Sequence, residues 1–254
     1  MSMPENKGKV TLILGGARSG KSALAEKMAQ VRAGEQGEVL YVATMVPFDD
    51  ELKTRVANHQ NARPASWHTL EAPYKLFEAV QATLKTEKVV LVDCLTVWAG
   101  NRIFQESGEP STQHGEVYEE LLPSAPAPSN PLVQPSVLEP DREENITSEL
   151  QAEIEAARKT VHRQVRQPDY ARLEQQVTDE LAKLVTAVRS KGADLLLVSN
   201  EVGMGLVPPY PMGRAYRDML GRVNQQIAAL ADEVFMIFAG LPVELKHLQA
   251  DLIK

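Results

Sequence analysis

The sequence predicts an α/β fold: a mostly parallel sheet flanked by helices. Three observations carry this. Residues Gly15-Gly16-Ala17-Arg18-Ser19-Gly20-Lys21-Ser22 match the phosphate-loop pattern G-x-x-x-x-G-K-[ST]. The loop sits in the context the pattern requires, after the apolar run Val10–Leu14 and before a helix-forming stretch. Beyond it, short apolar runs alternate with helical stretches, the rhythm of parallel βαβ units.

Each element follows in order. Val10–Leu14 reads as a buried strand and Ser22–Val31 as a helix. Val39–Ala43 is a second strand, ending at Thr44. Asp50–Asn61 reads as a helix, with Leu52 and Val56 on one face. Lys75–Leu84 is another helix, Val89–Val92 a strand ending in Asp93, and Leu95–Phe104 a helix. Leu195–Ser199 is a strand, Met212–Leu230 a long helix, and Val234–Phe238 a last strand closed by Gly240 and Pro242.

Residues 105–140 interrupt this rhythm. Pro123, Pro126, Pro128, Pro131, Pro135 and Pro140 crowd into eighteen residues among Ser and Ala, a flexible or polyproline-like composition. The charged stretch Glu143–Lys191 follows, broken at Pro168. Its Leu173, Val177, Leu181, Leu184 and Val188 recur at helical spacing, so this second half packs on the sheet. The first half, with Arg158, Lys159, Arg163 and Arg166, reads as a solvated helix; a basic nucleic-acid-touching face is the alternative. The expected organisation is one nucleotide-binding domain over 1–254 with a flexible and helical insertion at 105–165.

Composition narrows the class. The 254 residues are 43% hydrophobic, enough for a core, and the net charge is −7. That balance argues against a broad nucleic-acid surface. Cys94 is the single cysteine, so no disulfide forms within the chain and a reducing cytoplasm is the expected compartment. No apolar run reaches the ~18 residues of a membrane span.

The phosphate loop implies a nucleoside triphosphate with Mg²⁺. Its glycines turn backbone N–H groups toward a phosphate, and the helix after it adds its positive end. Lys21 supplies charge for the β and γ phosphates, and the Ser22 hydroxyl is a magnesium ligand. Asp93 ends its strand where a second metal-organising carboxylate belongs, although a turn aspartate has the same sequence signature. Arg55 and His59 share a helix face, and Arg63 follows. A histidine flanked by arginines beside a phosphate loop can attack an α-phosphorus and hold a phosphoramidate; spacing alone equally describes an exposed helix histidine. Asn200 and Glu201 leave the strand Leu195–Ser199 toward the crevice. Gly203 and Gly205 make the next loop pliable, and Arg214, Arg217 and Asp218 serve either a substrate or ordinary helix ion pairs.

Taken together, GGARSGKS (15–22), YVAT (41–44), R-x-x-x-H-x-x-x-R-P (55–64), W-x-T-x-E-x-P (67–73), VDCLTVW (92–98), SNEVGMGLVP (199–208) and RDMLGRVNQ (217–225) resemble, in order, the adenosylcobinamide kinase / adenosylcobinamide-phosphate guanylyltransferase family of cobalamin assembly. The resemblance spans most of 8–104 and 180–246. It implies a RecA-like P-loop NTPase fold and two activities. ATP or GTP phosphorylates the aminopropanol hydroxyl of adenosylcobinamide. GMP then passes from GTP to that phosphate through a guanylylated histidine, giving adenosylcobinamide-GDP and pyrophosphate. His59 stands at the histidine's position. The resemblance also carries nucleotide contacts to Gly15, Gly16, Ala17, Arg18, Ser19, Gly20, Lys21 and Ser22, to Ala43, Thr44 and Met45, to Gln60, Asn61, Ala62 and Arg63, and to Glu71 and Asp93. Mg²⁺ falls to Ser22 and Asp93, and a homotrimer is implied. Two departures stand out: relatives often carry a basic residue where this chain has Gln60, and they commonly lack the Pro-rich insertion, which is therefore expected to be a surface elaboration.

Overall fold

The computed structural model describes residues 8–34, 37–46, 63–107 and 168–249. The expected helix 50–61, with Arg55 and His59, lies outside these residues, as do Gln60, Asn61, Ala62 and the expected insertion from residue 108 onward.

The elements run β1 (Val10–Gly15), α1 (Lys21–Ala33), β2 (Val39–Ala43), β3 (Trp67–Glu71), α2 (Leu76–Thr83), β4 (Val89–Asp93), α3 (Leu95–Ser107), α4 (Tyr170–Ser190), β5 (Asp194–Val198), α5 (Pro211–Leu230), β6 (Glu233–Phe238) and β7 (Leu241–Glu244). They form a seven-stranded sheet in the order β3-β2-β4-β5-β1-β6-β7. All neighbours are parallel except β6 and β7. Placing β5 between the phosphate-loop strand β1 and the acidic strand β4 gives the RecA-like arrangement of a P-loop NTPase fold.

Alternation along the strands sends side chains into two cores. Leu12, Leu14, Val42, Val90, Val92, Leu195 and Leu197 face one way and pack with α2, α3, α4 and α5. Ile13, Val39, Tyr41, Leu91, Leu196 and Val198 face the other way, against Ala25, Ala29 and Ala33 of α1. Small residues every fourth position let α1 lie close on the sheet. The expected stripe on α4 is fully buried: Leu173, Val177, Leu181, Leu184 and Val188 are each at most 1% exposed. Asp169 caps this helix by accepting from the Arg172 N–H at 3.1 Å.

Two strands depart from the expectation. Trp67–Glu71 is the edge strand β3, and the chain does not end its sheet at Phe238 but turns at Gly240 into β7. Pro242 sits inside β7, opposite Ile237. An edge strand tolerates a proline because one row of its N–H groups has no ladder to join.

The strand starts are tied together at the sheet edge away from the phosphate loop. Glu233 accepts from Lys9 Nζ at 2.7 Å, Thr11 Oγ1 at 2.9 Å and Arg32 Nη2 at 2.6 Å. Arg32 also reaches Asp194 at 3.3 Å, joining α1, β1, β5 and β6. Burial would raise the Glu233 pKa, but the bonds from Lys9 and Thr11 and the Arg32 charge outweigh it and hold it below the usual range. A depressed carboxylate stabilises the fold above its unfolded pKa of about 4.3 and loses that contribution as pH falls through the folded value. Glu233→Gln is expected to cost about 1–2 kcal/mol in urea unfolding at pH 7. The gap to wild type should narrow below about pH 4; a gap that stays constant with pH would contradict this assignment.

Candidate active site

The site gathers at the carboxyl ends of β1, β4, β2 and β5, the crevice where open α/β sheets bind ligands. The phosphate loop leaves β1 at Gly15. A Cβ there would meet Ser19 Oγ at 2.7 Å and the Ile237 carbonyl at 2.8 Å, so only glycine lets the loop fold this tightly. Gly20 takes φ 97° and opens α1, whose first turn receives no side-chain cap. Those uncapped N–H groups and the helix dipole suit an anion. Gly16, Ala17, Arg18 and Gly20 are exposed along the loop, and Ser22 is half-buried in the first turn of α1. The Ser19 hydroxyl is buried and unpartnered among the described residues.

Lys21 is buried and donates across the loop to the Gly16 carbonyl at 2.5 Å. Burial pulls its pKa below the ordinary lysine value, and the Asp93 carboxylate opposes that shift. Asp93 therefore lies within electrostatic reach of the phosphate-loop lysine.

Asp93 is held from two directions. Tyr41 on β2 donates its hydroxyl to Asp93 Oδ2 at 3.0 Å. Thr44, fully buried, brackets the next residue: its Oγ1 accepts from the Cys94 N–H at 2.9 Å and donates to the Cys94 carbonyl at 2.8 Å. Asn101 of α3 in turn holds the Thr44 carbonyl at 2.8 Å and that of Pro73 at 3.1 Å. The Thr44 side chain thus fixes the backbone beside Asp93. Burial, then Asp93, pushes the Cys94 thiol up to about 11, so it stays neutral and inert at pH 7.

Arg63 arrives on the other side of Tyr41. Its guanidinium carbon lies 3.4 Å from the ring centroid, and Nη1 donates to Thr69 Oγ1 at 3.1 Å. Trp67 stacks on the same tyrosine at 6.4 Å. Burial, then the Asp93 charge, drives the Tyr41 pKa far above the usual range, so the hydroxyl keeps its proton for Asp93. The strand register sets Ala43 beside both Glu71 and Asp93, and Met45 continues exposed from the end of β2. The structure therefore brings Arg63, Asp93, Lys21 and the phosphate loop to one crevice, with Ala43, Met45 and Glu71 along its rim.

The loop after β5 closes the crevice's far wall. The Glu201 N–H donates to the Gly15 carbonyl at 3.1 Å, and the Asn200 N–H to Thr96 Oγ1 at 2.6 Å. Asn224 of α5 holds the Asn200 carbonyl at 3.0 Å. Arg217 donates to the Gly203 carbonyl at 2.6 Å, and Arg214 to those of Pro208 and Pro209 at 3.1 and 2.7 Å. These two arginines staple the loop to α5. Sequence reasoning missed Tyr41, Thr96, Asn101 and Asn224. The available signal was a polar group among apolar neighbours, here at a strand end or on a buried helix face.

The oxygen donors Ser22 and Asp93 suit a hard cation such as Mg²⁺, which takes one or two protein oxygens beside substrate phosphates. Among the described residues no group of three or more His, Cys, Asp or Glu could hold a metal on its own, and no helix is long and apolar enough to cross a membrane.

Comparison with known proteins identifies the chain's relatives. The family model described as cobinamide kinase / cobinamide phosphate guanyltransferase matches residues 11–245. The bifunctional adenosylcobalamin biosynthesis protein CobU of Escherichia coli K12 is 32% identical over 235 residues, covering 92% of this chain and 98% of that one. CobU of Salmonella typhimurium LT2 matches at 32% with the same coverage. CobP of Pseudomonas aeruginosa PAO1 is 31% identical over 92% of this chain and 96% of its own. With its motifs in order along one sheet and its match running almost end to end, the chain belongs to the cobinamide kinase / cobinamide phosphate guanyltransferase family.

Proposed function

We propose that this protein phosphorylates adenosylcobinamide and then guanylylates the product, both at the crevice described above. The observation that carries this reading is the chain of contacts from Arg63 through Tyr41 to Asp93, beside Lys21. Arg63 lies four residues after His59, so the histidine's segment rejoins the fold next to the carboxylate that faces the phosphate loop.

In the first reaction the acceptor hydroxyl attacks the γ-phosphorus of ATP or GTP, and the nucleoside diphosphate leaves. The chain's part is positioning and charge: uncapped N–H groups at the start of α1, Lys21, and the phosphate loop as cradle. Mg²⁺, held by Ser22 and Asp93, supplies charge neutralisation at the phosphates when bound. In the second reaction an imidazole nitrogen of His59 attacks the α-phosphorus of GTP, the α–β P–O bond breaks, and pyrophosphate leaves. A phosphate oxygen of adenosylcobinamide phosphate then attacks the same phosphorus, and the P–N bond breaks to restore the imidazole. Arg63 offers charge beside this step and Glu71 stands at the rim; Gln60, Asn61 and Ala62 are assigned to the nucleotide by the family resemblance alone.

The reading is tested by incubating purified protein with adenosylcobinamide, GTP and Mg²⁺ and resolving products by liquid chromatography. Adenosylcobinamide phosphate followed by adenosylcobinamide-GDP, with matching pyrophosphate, is expected. Phosphate ester alone would reduce the protein to a kinase with a structural His59.

A further inference from the structure

The known motifs leave unexplained where a large acceptor rests, and a cavity outside them offers an answer. About 250 Å³ of space lies between α3 and the start of α5, walled by Val97, Gly100, Ile103, Phe104, Met212 and Tyr216. Both helices start at the carboxyl edge of the sheet, the edge that carries the phosphate loop. Thr96 joins the two sites: it lines the cavity, accepts the Asn200 N–H, and stands three residues after Asp93.

The polar groups that α3 and α5 turn toward this cavity are engaged. The Tyr216 hydroxyl donates to the Thr96 carbonyl at 3.0 Å, and Asn101 holds Thr44 and Pro73. What remains facing the space is aliphatic and aromatic, a poor lining for a triphosphate and a good one for methyl-bearing carbon skeleton. The loop above it adds to this. Met204, Leu206, Val207 and Tyr210 are 74%, 96%, 65% and 43% exposed, although the loop's base is stapled by Arg214 and Arg217. This loop begins at Glu201, which is bonded to the phosphate loop itself at Gly15.

We infer that the cavity between α3 and α5, with the apolar loop 204–210 over it, seats the methyl-studded edge of the corrin macrocycle. The acceptor's reacting arm then extends past Thr96 and Asn200 to the phosphate loop. The inference rests on the proposed function and assigns the acceptor half of that site.

Gly100 provides the test. It lies on α3 facing the cavity, and a Cβ there would meet only Tyr216 Cε2, at an ordinary 3.9 Å. Replacing a helix-interior glycine also favours the helix, by up to ~1 kcal/mol, so the backbone accepts a side chain at 100, and Gly100→Leu is compared with Gly100→Ala at matched Tm. With [α-³²P]GTP and adenosylcobinamide phosphate, Gly100→Leu is expected to label with GMP as wild type does. Its KM for the acceptor should rise at least tenfold, while Gly100→Ala stays within about threefold. Normal labelling with an unchanged acceptor KM in Gly100→Leu would overturn the inference while leaving the proposed function standing. A changed assembly mass by light scattering, with acceptor KM unchanged, would overturn it in favour of a second copy of the chain as the occupant. Absence of GMP labelling in the wild type would instead defeat the proposed function on which the inference rests.

Discussion

His59→Ala should lose GMP transfer by about a thousandfold or more, the scale on which removing a covalent nucleophile is felt, yet retain phosphorylation of adenosylcobinamide within about tenfold. The asymmetry follows from the chemistry. Guanylyl transfer through the histidine needs an atom that forms and then breaks a P–N bond, and alanine has none. Phosphorylation moves the γ-phosphoryl group directly to an alcohol, with no covalent chemistry asked of the protein, so it depends on the phosphate loop and its charges. Arg63 remains anchored on Tyr41 and Thr69 in the variant, so the wall it forms should survive. The two steps are assayed separately, the first with adenosylcobinamide and ATP, the second with adenosylcobinamide phosphate and GTP. Equal loss of both, in a variant with an unchanged circular dichroism spectrum and Tm, would contradict a dedicated nucleophile.

Lys21→Ala should damage both steps, each by about a hundredfold to a thousandfold. Either reaction develops charge on phosphoryl oxygens held by the same loop, and Lys21 is the buried cation of that loop. Stability should move the other way. The folded state holds the Lys21 pKa below the ordinary value because burial penalises the ammonium. A cation with a depressed folded pKa lowers stability while it is charged in both states; that cost disappears as pH rises through the folded value toward the unfolded value of about 10.4. The variant should therefore unfold no more easily than wild type at pH 7, and any advantage should vanish above about pH 10. A variant with normal rates would remove Lys21 from the mechanism; a large drop in Tm would mean that its rates report misfolding instead.

The reach of sequence reasoning here followed burial. β1, β2, β4, β5 and β6 were legible because interior parallel strands are covered on both faces and appear as near-continuous apolar runs. The α4 stripe was legible because a single helix face meets the core. β3 and β7 lie at the two edges, where one side lacks a partner and composition is free to include His68, Thr69 and Pro242. In the site, the phosphate loop announced itself because its function constrains consecutive residues. The place of Asp93 at the end of β4 was legible because an apolar run stops there. Tyr41 and Asn101 act through atoms 52 and 28 positions away, on Asp93 and Pro73, and no local pattern encodes such a bond. Arg214 and Arg217 had two readings in sequence, a substrate role or helix ion pairs; in the fold they donate to loop carbonyls, a role that neither reading contained.

The central claim is that one histidine carries GMP between GTP and the acceptor. Intact-protein mass spectrometry after incubation with GTP and Mg²⁺, followed by peptide mapping, tests it most directly. The account predicts an acid-labile adduct of one GMP on the peptide containing His59, discharged when adenosylcobinamide phosphate is added. Protein that binds GTP yet carries no adduct, or carries it on another residue, would contradict it.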